Sequence, residues 1–149
     1  TRQGLPHQAR SDEPVAAIDR GGYVLSDTDG QPDAIVIATG SEVGLATAAA
    51  AELDREGIAV RVISMPNAGR FLEQDAEYRA SVLPANVRAR VAVEAGVTNY
   101  WHAFVGDAGK IIGVDRFGAS APAPELFKHY GLTVENVSAS LRAVSKGDE

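Results

Sequence analysis

The sequence predicts an α/β fold in three layers, with a mostly parallel five-stranded sheet, one antiparallel edge strand and helices on both faces. Stretches typical of strands and helices alternate after residue 30, which is the pattern of a parallel sheet with helical connections. The run AIVIA at 34–38 is continuously apolar, as in a strand buried on both faces. The run YVLSD at 23–27 precedes the turn signal Thr28-Asp29-Gly30, so it predicts an edge strand joined to the next strand in a hairpin.

Hydrophobic periodicity, caps and breakers divide the chain into successive elements. Strands are predicted at 23–27, 34–38, 59–64, 88–93 and 110–114. Helices are predicted at 42–56, 74–83, 100–105, 125–130 and 134–144. Ser41 is predicted to cap the first helix and Thr133 the last, because a hydroxyl accepts a hydrogen bond from a free backbone amide. Residues 1–20 lack periodicity and contain Pro6 and Pro14, which predicts an arm or linker.

Composition excludes several classes of function. The 149 residues include no cysteine, which rules out disulfides, thiol catalysis and cysteine-ligated zinc. The net charge of −6 argues against a nucleic-acid partner, because phosphate binding needs a basic surface. No apolar run approaches the roughly 20 residues of a membrane span, and no signal peptide is visible, so we expect a cytoplasmic protein without a membrane partner. The chain starts at Thr1 rather than Met, so a piece of a longer protein is one expectation.

The stretch TGSEVG at 39–44 joins a predicted strand to a predicted helix, where α/β proteins often bind ligands. It lacks the spacing of a nucleophile elbow, of a phosphate-binding loop and of a dinucleotide fingerprint. The remaining ligand hypothesis is a weak anion or regulator site at Gly40, Ser41 and Glu42, built on free amides at a helix start. The carboxylate of Glu42 would repel an anion, so a capped turn is the preferred interpretation.

The histidines and the large aromatic residues do not form a recognisable site. His7, His102 and His129 stand in no metal-binding spacing, and His102 fits an interface or core position better than a catalytic base. The neighbouring Tyr100 and Trp101 are expected in the core or at a subunit contact rather than against a cofactor.

Three carboxylates, Glu94, Asp107 and Asp115, are candidates to converge at one edge of the sheet, where a pair can do acid–base chemistry. Nothing in their spacing fixes a separation, so solvated surface acids are the preferred interpretation. The residues alone therefore predict no catalytic residue, no metal site and no cofactor bound by this chain.

Seven segments, in order, resemble the C-terminal domain of transketolase. They are TRQGLP at 1–6, RGGYVLSD at 20–27, IATGSEV at 37–43, VISMP at 62–66, YRASVLP at 78–84, ARVAVEAG at 89–96 and FGASAPAPELFKHYG at 117–131. The resemblance covers essentially the whole chain. Related domains occur in deoxyxylulose-phosphate synthase and in the beta subunit of pyruvate dehydrogenase, but VISMP and the run from Phe117 fit transketolase better.

The resemblance implies a function for the whole protein and a supporting role for this chain. Transketolases are homodimers of three-domain subunits that move a two-carbon ketol unit from a ketose phosphate to an aldose phosphate. Thiamine diphosphate and a divalent metal (Mg²⁺ or Ca²⁺) bind to the first two domains. The third adds dimer contacts, supplies no catalytic group and is a candidate regulatory site. Residues 1–20 would then be an arm from the preceding pyrimidine-binding domain, and 21–149 the C-terminal domain.

The resemblance also assigns one substrate contact. Arg2 matches the arginine of the family's S-R-Q or T-R-Q segment, which contacts the phosphate of the sugar-phosphate substrate. A guanidinium suits this role because it presents a fork of donors to phosphate oxygens. Two alternatives to a domain of a complete transketolase remain, namely a subunit of a split transketolase and a metabolite-sensing module of the same fold.

Overall fold

The computed structural model describes residues 12–146, with side chains from residue 15 onward, and contains the predicted mixed sheet. The strands are β1 (Tyr23–Ser26), β2 (Ala34–Ala38), β3 (Val60–Ser64), β4 (Arg90–Val93) and β5 (Lys110–Ile112). They lie in the order β1-β3-β2-β4-β5, with β1 antiparallel to β3 and the other neighbours parallel. The predicted fold class is confirmed.

Helices connect and cover these strands. They are α1 (Asp12–Ala17), α2 (Val43–Asp54), α3 (Ala68–Leu72), α4 (Ala76–Val82), α5 (His102–Val105), α6 (Ala123–His129) and α7 (Val134–Ser145). Short 3₁₀ turns occupy Ile18–Arg20, Gly40–Glu42 and Thr98–Trp101. Within the described part of the chain, no helix combines the length and apolar character needed to cross a membrane.

The predicted hairpin between the first two strands is wrong. β1 pairs with β3, with Tyr23 opposite Ser64, and β3 lies between β1 and β2. The residues of β2 are all buried, because this strand is central and is paired on both sides by parallel strands. Because β3 and β4 already occupy both edges of β2, β1 cannot pair with β2. The loop at 27–33 therefore passes the end of β3 before the chain enters β2.

Alternate residues of the central strands pack into two separate cores, one on each face of the sheet. The sheet and the helices on its two faces therefore form three layers. On the first face Val36, Val62 and Val91 pack under α2 and α7. On the second face Ile37 and Ile63 pack under α3, α4 and α5. Side chains alternate between the faces of a sheet, so a continuously apolar strand supplies both cores at once.

The predicted arm or linker at 1–20 contains helical structure that its sequence did not indicate, because residues 12–20 form α1 and a 3₁₀ turn. This segment is held against α3 by contacts distant in sequence. Arg70 Nε donates to the carbonyl of Asp19 at 2.8 Å, and the amide of Asn67 donates to the carbonyl of Gly21 at 2.9 Å. Such tertiary contacts leave no periodic signal in a short segment. Residues 1–11 lie outside the described range, and the domain boundary at 20/21 stays a prediction.

Most other elements were predicted with shifted ends. The helix α3 was missed, because five residues are too few to show a helical period. The predicted helix at 100–105 is a 3₁₀ turn followed by the four-residue α5. The cap at Thr133 is confirmed, since its hydroxyl accepts from the amide of Asn136 at 3.3 Å.

Two arginines near the amino ends of strands hold the second helical layer in place. Arg61 of β3 donates to the carbonyls of Ser81 (2.8 Å) and Val82 (3.2 Å) at the end of α4. Arg90 of β4 donates to the carbonyl of Phe104 in α5 at 2.8 Å. Both guanidinium groups therefore satisfy carbonyls at helix ends that lack partners within their own helix. Burial lowers the pKa of Arg90 from its ordinary value.

Candidate functional site at the carboxyl edge of the sheet

The strand order creates one position where an α/β sheet commonly binds a ligand. The chain leaves β2 toward β3 on one side and later returns to form β4 on the other side. Ligands of open α/β sheets bind at such a reversal, outside the carboxyl ends of the two adjacent strands. Here the loops Thr39–Glu42 and Glu94–Gly96 flank that crevice.

The turn after β2 differs from the predicted capped helix start. Gly40, Ser41 and Glu42 form a 3₁₀ turn, and α2 begins only at Val43. The Ser41 hydroxyl donates to Glu42 Oε1 at 2.5 Å and makes no capping bond. The prediction that Ser41 caps this helix is therefore wrong, because Ser41 lies inside the 3₁₀ turn and Glu42, not Ser41, occupies the position just before α2.

Glu42 closes the crevice from inside. Only 4% of this residue is exposed, and its Oε2 accepts a hydrogen bond from the amide of Ala95 at 3.3 Å. One carboxylate thus links the loop after β2 to the loop after β4, where an anionic ligand of an α/β protein would sit. A ligand or regulator at Gly40, Ser41 and Glu42 stays a prediction, and the buried carboxylate disfavours an anionic one.

The carboxylates proposed to converge do not all meet. Asp107 pairs with Arg88 at 2.6 Å, just ahead of β4 and therefore at the amino edge, opposite the end where Glu94 follows β4. Glu94 Oε2 accepts from the indole Nε1 of the buried Trp101 at 2.6 Å. Glu94 thus positions a core side chain, and the interpretation of all three residues as simple solvated acids is incomplete.

Asp115 is the remaining carboxylate of that set, and it organises the loop after β4. Its oxygens accept from the Thr98 hydroxyl at 2.7 Å and the Thr98 amide at 2.8 Å. These two hydrogen bonds, with the hydroxyl contact the larger cause, lower the pKa of Asp115. A carboxylate held in this way is a structural acceptor rather than a poised base, since its charged form is favoured.

The histidines and aromatic residues also take structural places. His102 is exposed, so the core position considered for it is wrong, while an interface position stays a prediction. Trp101 is buried as expected, whereas Tyr100 is half exposed. His129 packs edge-on against Tyr130. Within residues 12–146, no group of three His, Cys, Asp or Glu side chains is arranged to hold a metal ion.

Some informative residues were missed at the sequence level, and others lie outside the described range. Arg2 and His7 fall in residues 1–11, so the phosphate contact of Arg2 stays a prediction. The structural roles of Arg61 and Arg90 were missed, although a charged residue inside an apolar strand run is a visible signal.

Comparison with known proteins identifies a domain family. The family model described as transketolase-like TK C-terminal domain matches residues 21–133. Transketolase 1 of Vibrio vulnificus (strain YJ016) is 56% identical over 137 residues, which cover 92% of this chain and 21% of the relative. Transketolase 1 of Vibrio cholerae is 57% identical with the same coverage. The chain therefore spans about a fifth of the length of these relatives.

Solved structures agree on the fold. A transketolase from Leishmania mexicana superposes with a TM-score of 0.88 at 39% identity, over 97% of this chain and 20% of that one. A transketolase from Campylobacter jejuni has a TM-score of 0.73 at 28% identity, over 90% and 19%. A structure described as a split gene transketolase, inactive beta4 tetramer, has a TM-score of 0.72 at 23% identity, over 99% and 49%, and at that identity shows the fold alone.

Proposed function

This chain belongs to the family of transketolase C-terminal domains, and from that membership we propose that it is the third domain of a complete transketolase. The whole enzyme transfers a two-carbon ketol unit from a ketose phosphate to an aldose phosphate. The observation that carries the proposal is the family match over 21–133 together with 56% identity to a full transketolase. Within the enzyme this domain has a structural and dimer-supporting role and is inactive alone.

The geometry of the carboxyl edge supports a non-catalytic role. The crevice where an α/β domain would bind a ligand is spanned by Glu42, which bonds to Ser41 and Ala95. The acids nearest to it, Glu94 and Asp115, are engaged by Trp101 and Thr98. None of these groups combines exposure with a nucleophile or a free base, which supports the proposal that this domain supplies no catalytic group.

The described residues do not fit the cofactors of the family. A diphosphate at the sheet crevice would meet the carboxylate of Glu42. We therefore place thiamine diphosphate and Mg²⁺ or Ca²⁺ in the other domains. We also place the enzyme in the cytoplasm as a homodimer.

Arg2 is proposed as the residue of this chain that contacts substrate, through the phosphate of the sugar. We expect Arg2→Ala in the full enzyme to raise KM for phosphorylated substrates by a factor of about 10 or more, since a charge-assisted bond contributes roughly 1.5–3 kcal/mol. The matched measurement uses unphosphorylated substrates of the same enzyme, whose KM should change little. An equal loss for both substrate classes would refute a phosphate contact.

The proposed function is tested by the size and activity of the native protein. An antibody raised against this chain should detect, in a source-cell extract, a band several times larger than 15.6 kDa. The purified larger protein should transfer ketol units only when thiamine diphosphate and a divalent metal are supplied. A band near the chain's own size would instead indicate a subunit of a split enzyme or a metabolite-sensing module, and co-purification with thiamine-binding domains would separate those two.

A further inference from the structure

The last residues of the predicted arm are fixed to the domain by side chains of α3 and α4. Arg70 in α3 donates through Nε to the carbonyl of Asp19 at 2.8 Å. Arg20 stacks over the ring of Tyr78 in α4, with its guanidinium carbon 4.1 Å from the ring centroid. The end of the arm therefore has a fixed direction relative to the second helical layer.

The chain stays fixed where it passes from the arm into β1. The Tyr78 hydroxyl donates to the carbonyl of Gly22 at 2.8 Å, and the amide of Asn67 donates to the carbonyl of Gly21 at 2.9 Å. A Cβ at Gly21 would collide with the carbonyl oxygen of Asn67, and one at Gly22 would collide with the sulfur of Met65. The two glycines therefore let the backbone lie directly against the start of α3.

Polar and aromatic contacts, rather than apolar burial, hold this part of the arm. Val15 is 53% exposed and Ile18 is 38% exposed, so neither side chain anchors the segment in a core. Segments at the end of a domain are usually poorly ordered unless other residues tie them down. The contacts of Arg70 and Tyr78 therefore determine the direction in which the arm leaves the domain.

The proposed phosphate contact lies on the same arm. Arg2 precedes Asp12, the first residue of α1, by ten positions in the sequence. Ordering a free segment when a ligand binds costs free energy, so a segment that is already held in place binds more tightly. Fixing one end of the arm lowers that cost, because it reduces the number of conformations open to the rest of the arm.

We propose that Arg70 and Tyr78 are positioning residues for the substrate-phosphate contact of Arg2. They touch no substrate and act by fixing the arm at residues 19–22. This inference rests on the proposed function, in which Arg2 binds the phosphate of the sugar. Releasing the arm weakens the binding of phosphorylated substrates and leaves kcat nearly unchanged, because the domains that hold thiamine diphosphate are unaltered.

The test compares KM values of variants of the full-length enzyme. Arg70→Ala removes the bond to Asp19, and Arg70→Lys keeps a charged donor at the same position. The matched control is Arg142→Ala, which removes bonds to Glu52 and Glu56 between α2 and α7 on the other face of the sheet. We expect Arg70→Ala to raise KM for phosphorylated substrates about three-fold or more, with little change for unphosphorylated substrates. Arg70→Lys should recover part of this effect, and Arg142→Ala should leave both KM values at wild type.

Hydrogen exchange of residues 12–22 in the same enzymes shows whether the arm has been released. Exchange there should rise in Arg70→Ala but not in Arg142→Ala, because exchange follows local opening. Tyr78→Phe removes only the hydroxyl bond to Gly22 and should raise both exchange and KM by a smaller factor. The proposal is overturned if Arg70→Ala leaves exchange unchanged, or if exchange rises while KM for phosphorylated substrates stays at wild type. An equal rise in KM for both substrate classes would also overturn it.

A double variant separates this inference from the proposed function. Arg2→Ala alone measures the phosphate contact. Adding Arg70→Ala to it should cause no further rise in KM if Arg70 acts through Arg2, because the effects of residues that act together are not additive. Additive losses would overturn the positioning role and leave the phosphate contact intact. Unchanged KM values in Arg2→Ala alone would instead refute the phosphate contact, and the positioning role with it.

Discussion

Replacing Arg61 tests whether bonds from a buried guanidinium to helix-end carbonyls hold the second helical layer against the sheet. This side chain is only 13% exposed, although it carries a charge near the amino end of an otherwise apolar strand. It bonds to Asp27 through two nitrogens, at 2.8 and 2.9 Å, and to the carbonyls of Ser81 and Val82. The guanidinium therefore joins three segments, namely β3, the loop after β1 and the end of α4.

The expected loss follows from these contacts. Arg61→Met keeps the stem but removes every donor. Two bonds from a charged group to the carbonyls of Ser81 and Val82 contribute about 1.5 kcal/mol each at the low end of their range. The pair with Asp27, whose side chain is 47% exposed, adds at most about 1 kcal/mol. We therefore expect Arg61→Met to lower the free energy of unfolding by about 3 kcal/mol.

Urea unfolding followed by the fluorescence of Trp101, the single and buried tryptophan, measures this loss. A slope of about 2 kcal/mol per molar urea converts it into a midpoint shift of about 1.5 M. Arg61→Lys should recover part of the loss, because an ammonium keeps a charged donor at this position. The recovery should be incomplete, because an ammonium cannot reproduce the two-nitrogen contact with Asp27 together with the bonds to the carbonyls. Asp27→Ala should cost far less than Arg61→Met. If the two variants cost the same, the helix-end carbonyls contribute nothing and the reasoning is refuted.

Two further predictions concern a turn and a carboxylate. Gly21→Ala should cost about 1–3 kcal/mol more than Gly30→Ala in urea unfolding, because both adopt positive φ but only at Gly21 would a Cβ collide, 2.3 Å from the carbonyl oxygen of Asn67. The lowered pKa of Asp115 adds stability that is present above the unfolded-state pKa of about 3.9 and is lost as pH falls through the lower native value. Thermal unfolding of Asp115→Asn should therefore differ from wild type at pH 6 and converge with it only at pH values below the lowered native pKa of Asp115, and a difference that persists below that pKa would contradict the role of Thr98.

The sheet was predictable because its signals are local. The run at 34–38 is apolar without interruption, and only a central strand with a core on each face uses such a run fully. The cap at Thr133 was predictable for a similar reason, since its acceptor and the amide of Asn136 are three residues apart. Both features are decided within a few residues.

The features that sequence reasoning missed are decided by distant partners. Whether β1 pairs with β2 or β3 depends on which strand is left with an open edge, and the turn signal at 28–30 is the same in both cases. Ser41 was assigned to a cap because the local sequence does not show that its neighbour Glu42 is buried and accepts from the amide of Ala95, 53 residues further on.

The buried carboxylate of Glu42 relates the fold to our proposal that catalysis takes place in the other domains of the enzyme. An α/β sheet whose strand order reverses between β2 and β4 has a crevice at that point, and free backbone amides line it. Such a crevice attracts anions when it is empty. Here the chain supplies its own anion, which accepts from Ala95 and from Ser41 and so ties two loops together. A crevice closed in this way supports the proposal that thiamine diphosphate and its metal bind to the other domains and not here.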